Sequence, residues 1–331
     1  MTNLRRRLLA GLALGFVVLL VIAAVGDVRQ VAGQLAGFAW PLAPVVLGCT
    51  LFNYALRFLK WHFYLRQIGA TGISVRESAR LFVGGFPLAV TPGKVGEILK
   101  AVWLRQKTGI PVTRGVTVVL AERISDGLAV LMLSTLGVIA YPRYAPAFAA
   151  ALGVLVIFVI VSQIRPLALK LLGWAEQIRW VRRFSGGLRE LYEGSYALFR
   201  PRSTLVGVGL GTISWLGEGV GFYLILIGLG VPGGWATLGN AVFILAFATA
   251  VGGLSTLPGG LGAAEGTIAG MLTLVMGLPA SVAAAATLLI RFATLWFGVT
   301  LGLIVWAFSP DLMGQASAAA AGSGDAPGSQ T

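Results

Sequence analysis

Seven ionisable residues, Glu97, Glu122, Arg123, Asp126, Glu218, Glu265 and Arg291, stand in or against long apolar stretches of this 331-residue chain. At the centre of a bilayer an ionised side chain costs at least about 2.5–3.5 kcal/mol, so groups placed there must be paired or protonated. Two of the glutamates adjoin Pro-Gly breaks, Glu97 in TPGKVGE (Pro92, Gly93, Lys94, Gly96) and Glu265 in LPGGLGAAE (Pro258, Gly259, Gly260, Gly262). Each break stops one helix and starts another, leaving unpaired backbone N–H groups and a positive helix end that suits an anion. Lys94 at the first break, with Arg57 and Lys60 closing the preceding apolar run, makes that break a seat for a phosphate group; the second break carries no lysine. The bland alternative is that Pro and Gly only allow a tight hairpin and Lys94 is solvated. In AERISDG, Glu122 and Asp126 are four apart and share a helix face with Arg123 close by, a pair that could bind a cation or act as acid and base.

What positions these residues is a membrane. The chain is 57% apolar and 11% charged, too little charge to cover a water-facing surface, and apolar runs of about 18 or more residues, enough to cross about 30 Å of hydrocarbon, recur along it. The expected fold is an all-α polytopic membrane protein with about six full crossings, near 8–25, 41–64, 116–140, 147–164, 204–229 and 283–307. Residues 77–107 and 237–278 are each interrupted by a break, with arms too short to cross comfortably, and read as two re-entrant helical hairpins. Residues 1–308 form a single transmembrane domain and 309–331 a disordered tail. Segment 165–202 reads either as an amphipathic helix on the inner leaflet or as an ordinary basic loop.

The net charge of +13 sits in short clusters between apolar runs, so it signals topology and not nucleic-acid binding. Residues 1–7 hold three Lys or Arg, 57–114 ten and 165–202 eight, against one each in 26–40 and 141–146 and none in 230–282. These counts place the N-terminus, 57–114 and 165–202 in the cytoplasm of a multi-pass plasma-membrane protein. Arg5 to Arg7 precede an apolar stretch read as a retained first helix, whose Gly11 and Gly15 could pack on a neighbour. Lone Cys49 and lone His62 exclude an intramolecular disulfide and a multi-histidine metal centre; no cofactor is expected.

The chain also repeats. Aligning Glu97 with Glu265 brings Gly109 and Pro111 onto Gly277 and Pro279, and Arg123 onto Arg291, without a gap; upstream, FYLRQIG at 63–69 matches FYLILIG at 222–228. Units of about 41–140 and 204–307, separated by one extra crossing, are inverted by the charge count. This arrangement builds a site that can open to either side. Glu97 with Arg123 and Glu265 with Arg291 are the expected ion pairs, within a unit or exchanged between units. They either merely fix the hairpins or release an arginine to substrate as the site switches sides.

The stretch FVGGFPLAVTPGKVGEILKAVWL, then ERISDG and LPGGLGAAEG, resembles the membrane region of the lysylphosphatidylglycerol synthase family, a flippase-like domain, over about residues 5–308. The resemblance implies movement of a lipid between leaflets. It also implies a stand-alone member without the soluble synthase domain, for which other phosphate-bearing lipids fit as well as lysylphosphatidylglycerol. It places a basic residue and Glu at Lys94 and Glu97, and its later signatures at Glu122, Arg123 and Asp126 and at Pro258, Gly259, Gly260, Gly262 and Glu265.

The expected activity is therefore non-enzymatic movement of an anionic or other phosphate-bearing lipid headgroup, with proton or cation coupling through the glutamates as an option. The alternatives are a membrane-embedded transferase acting on a lipid-linked substrate, for which only Glu122 and Asp126 offer carboxylates, and a scaffold for an envelope enzyme. No P-loop, Ser-His-Asp set or thiol nucleophile is present.

Overall fold

The computed structural model describes residues 2–91, 96–140, 194–196, 198–255 and 257–312, with isolated positions between 146 and 192. Pro92, Gly93 and Lys94, most of the expected crossing at 147–164 and of segment 165–202, and residues 313–331 lie outside the described residues.

Among the described residues every regular element is helical. In chain order these are α1 (Thr2–Val25), α2 (Val28–Ala36), α3 (Ala43–Gln67), α4 (Val75–Gly84), α5 (Leu99–Thr108), α6 (Val112–Ala140), α7 (Pro201–Gly228), α8 (Trp235–Leu254), α9 (Ala263–Met276), α10 (Ala280–Arg291) and α11 (Phe297–Ala307). Short 3-10 segments at Phe86–Val90 and Pro258–Gly260 adjoin the two breaks, and one π turn, Phe292–Trp296, joins α10 to α11.

The chain is a multi-pass integral membrane protein. Among the described residues six stretches are long and apolar enough to cross: Leu8–Val25, Trp40–Gln67, Pro201–Gly228, Trp235–Leu254, Pro258–Met276 and Ala280–Ala307. Four of them coincide with expected crossings, and the 29-residue α6 contains the expected crossing at 116–140.

The second hairpin differs from its expected form. Its arms are not too short, because α8 has 20 residues and begins at Trp235, while the AAEG stretch assigned to the break is the first turn of α9. The first hairpin keeps short arms: α4 and α5 have 10 residues each, about 15 Å apiece at 1.5 Å per residue.

The element order supports the repeat alignment. Each unit runs long helix, helix, 3-10 segment, helix, long helix. Gly109 (φ 73°) ends α5 and Gly277 (φ 64°) ends α9, each in the left-handed region and each followed after one residue by the proline that precedes the next helix. At the ends of α3 and α7 the register is shifted. Ala70 N–H donates to the Leu65 carbonyl (2.9 Å) and Val231 N–H to the Leu226 carbonyl (3.0 Å), each following a glycine of positive φ, Gly69 and Gly230. The helix ends thus equate Gly69 with Gly230, two residues beyond the FYL match.

Corresponding elements also meet. α3 packs on α7, the two 3-10 segments touch each other, and the packing of α6 on α8 has a counterpart in that of α11 on α4. Because lipid tails are as apolar as leucine, cohesion here rests on close packing and buried polar pairs rather than on exclusion from water. One core cluster joins Trp61, Tyr64, Leu81, Trp103, Leu104 and Trp306; a second joins Phe222, Phe243, Ile244, Leu272 and Ile290. The folded unit continues past residue 308. Leu312 is fully buried near Gly84, and Asp311 closes an ionic cluster with Arg80, Lys107 and Glu77, which joins the ends of α4, α5 and α11.

Candidate functional site

The expected pairs form within each unit. Glu265 sits at the third position of α9, where its Oε2 accepts the Gly262 N–H (2.7 Å) and its Oε1 accepts Arg291 Nε–H (2.6 Å). Arg291, at the end of α10, also donates through Nη2 to the Gly259 carbonyl (2.9 Å), so one guanidinium ties the Pro258–Gly260 turn to α9 and α10. The positive helix end at the second break is thereby occupied by the protein's own carboxylate.

The first-break pair is looser. Arg123 Nε stands 3.4 Å from Glu97 Oε2 without a hydrogen bond, and the Arg123 side chain is 38% exposed against 12% for Arg291. Gly96 N–H donates to Thr91 Oγ1 (3.1 Å), which in turn donates to the Leu88 carbonyl (2.6 Å), so a threonine shapes this break on the side where the second break uses Glu265.

Glu122 and Asp126 are not an open carboxylate pair. Lys100 of α5 donates to Glu122 Oε2 (3.0 Å) and lies over the Trp61 and Phe82 rings, 4.6 and 5.6 Å from their centroids. Lys60 of α3 donates to Asp126 Oδ1, and Arg57 Nη2 lies 3.4 Å from Asp126 Oδ2. Helical spacing put both acids on one face of α6, and each found a lysine from a different neighbouring helix. This also corrects the expected phosphate seat: Lys60 is fully buried and committed to Asp126, and Arg57 leans the same way while lying over the Trp215 ring (5.7 Å). Glu218, on α7, has no cation within 4 Å among the described residues.

The sequence model of the lysylphosphatidylglycerol synthase transmembrane region matches residues 8–302. The chain belongs to this family. It is also similar to a UPF0104 membrane protein from Methanothermobacter thermautotrophicus, at 27% identity over 80% of this chain and 82% of that protein. The family match spans both breaks and the pairs formed by Glu97, Glu122, Asp126 and Glu265, but not Asp311.

Sequence reasoning missed Lys100, Thr91 and Tyr54. Lys100 was open to detection as the one basic residue inside the apolar run ILKAVWL. Tyr54, whose hydroxyl donates to the Thr294 carbonyl inside the π turn, carried no such signal, because a tyrosine in an apolar helix reads as packing.

Proposed function

We propose that this protein moves a phosphate-bearing lipid between the leaflets of the plasma membrane, with its N-terminus in the cytoplasm and its two units inverted and rocking against each other. The observation that carries this reading is the inequality of the two equivalent pairs: Glu265–Arg291 is short and enclosed, while Glu97–Arg123 is longer and its arginine side chain is 38% exposed. A transporter that alternates between two openings holds one of two related gates shut while the other is loose. Arg123 is thus the group that leaves its glutamate for the phosphate of a headgroup, for which its planar fork of donors is suited.

Charge distribution supports the orientation, since the Lys and Arg of 57–114 mark the first break as cytoplasmic while 230–282 holds none. The transferase alternative would need Glu122 or Asp126 free for substrate, and both are engaged by lysines.

The test is leaflet exchange in liposomes carrying fluorescent anionic, zwitterionic and polyprenyl-phosphate lipids. Exchange of one phosphate-bearing class, lost in Arg123→Ala and in Glu97→Gln, is the expected result. No movement of any lipid by folded, monodisperse protein would overturn the proposal.

A further inference from the structure

Glu218 is 4% exposed, and among the described residues neither a cation within 4 Å nor a hydrogen-bond donor reaches its carboxylate. It lies ten residues before the end of α7 at Gly228, about 15 Å along the axis, which is close to the middle of the hydrocarbon.

The neighbouring charges are largely spent. From α3 come Cys49, Tyr54 and Arg57, from α6 Asp126 and from α10 Arg291; α8, packed on the same helix, carries no titratable residue. Arg291 is held by Glu265 and the Gly259 carbonyl, Tyr54 by the Thr294 carbonyl, and Asp126 by Lys60. Arg57 keeps an unused buried donor: among the described residues its Nε has no partner, and its contact with Asp126 at 3.4 Å is not a hydrogen bond. The same Asp126 Oδ2 is an acceptor without a donor.

A bare carboxylate at this depth has two ways to avoid its desolvation cost: it takes a proton, or it draws in a cation. We propose that Glu218 is a proton-binding site whose occupancy decides whether Arg57 is held by Asp126 on α6 or by Glu218 on α7. With the proton on Glu218 the carboxyl is neutral and Arg57 stays against Asp126. When the proton leaves to water, the guanidinium turns its free Nε–H to the Glu218 carboxylate and Lys60 alone keeps Asp126. No covalent bond other than O–H is made or broken, and the charge leaving with the proton equals the negative charge appearing on Glu218. The use of such a switch, driving the units with a proton gradient, rests on the translocation reading. The site itself does not.

Arg57 lies over the Trp215 ring, so its movement has a local reporter. Trp215 fluorescence, isolated as the difference between the native chain and Trp215→Phe, is titrated with pH in the native background and in Glu218→Gln and Glu218→Asp. Lipid exchange is measured in parallel with and without a proton gradient. The expected result is a one-proton transition in the native chain, kept at a shifted pH by Glu218→Asp and absent in Glu218→Gln, with native exchange accelerated by the gradient. Absence of the transition from folded native protein, or its persistence in Glu218→Gln, overturns the proton site. Exchange that ignores the gradient overturns the coupling. A transition that meets these expectations without exchange of any lipid sustains the site and removes the translocation reading.

Discussion

Replacing Glu265 with leucine, and separately Glu97 with leucine, tests whether the two equivalent glutamates carry unequal loads. Glu265 is fully buried; its loss strips the Gly262 N–H of its cap at 2.7 Å and leaves Arg291, 12% exposed, with only the Gly259 carbonyl. Removing one partner of such an enclosed pair costs about 3–5 kcal/mol. Glu97 leaves behind Arg123, which is 38% exposed and only in 3.4 Å contact, so stranding it costs less than stranding Arg291 and the loss is expected to be smaller than for Glu265. Pairing Glu265→Leu with Arg291→Met removes the stranded charge as well, and recovers most of the deficit because apolar groups of similar volume replace a buried ion pair at little cost. The assay is reversible unfolding in mixed micelles, followed by helical circular dichroism, for the three variants and the parent. Equal losses for Glu265→Leu and Glu97→Leu, or a double variant no better than Glu265→Leu alone, would refute the assignment of one clamped and one loose gate.

Asp126→Asn leaves Lys60 fully buried without its carboxylate and is expected to cost about 3–5 kcal/mol in the same unfolding assay, with Lys60→Met in addition restoring much of it. Gly260→Ala would set a Cβ 2.9 Å from the Gly252 Cα at φ 67°, so a loss of at least about 1–2 kcal/mol is expected from the backbone conformation alone, and protease access at the second break should rise. For Asp311, burial pushes the carboxyl up, but the Arg80 hydrogen bond and the charges of Arg80 and Lys107 outweigh it and hold it below the usual value of 3.8. A carboxyl depressed in the fold stabilises it above the unfolded value and loses that contribution as pH falls through the folded one. Thermal stability should therefore be insensitive to this cluster near neutrality and decline below about pH 3.8, and Asp311→Asn should remove that part of the decline.

The membrane class, most crossings and the Glu97–Arg123 and Glu265–Arg291 pairs were legible because their signals are local or periodic: apolar length, Pro-Gly punctuation and equal offsets between two halves. The partners of Glu122 and Asp126 were not. Lys100 and Lys60 reach α6 from α5 and α3, and helix spacing says only which residues share a face, never which neighbouring helix lies against it. Residues 309–312 were assigned to the tail on composition, but Asp311 and Leu312 are fixed by the distant Arg80 and Gly84.

The π turn at Phe292–Trp296 gives the last long helix two phases. A turn closed by i→i+5 bonds holds one residue more than an α-turn, so the face presented beyond it is rotated by about 100° relative to an unbroken helix. α10 uses its phase to lie against α1, α2, α7 and α9, and α11 uses its own to lie against α4 and the first 3-10 segment. Arg291 stands at the seam, and Tyr54 holds the Thr294 carbonyl within it. Deleting one residue there would leave a straight rod of similar length whose two ends could not both find their present neighbours. The seam therefore fixes the rotational register between the clamp at the second break and the helix that supports the first.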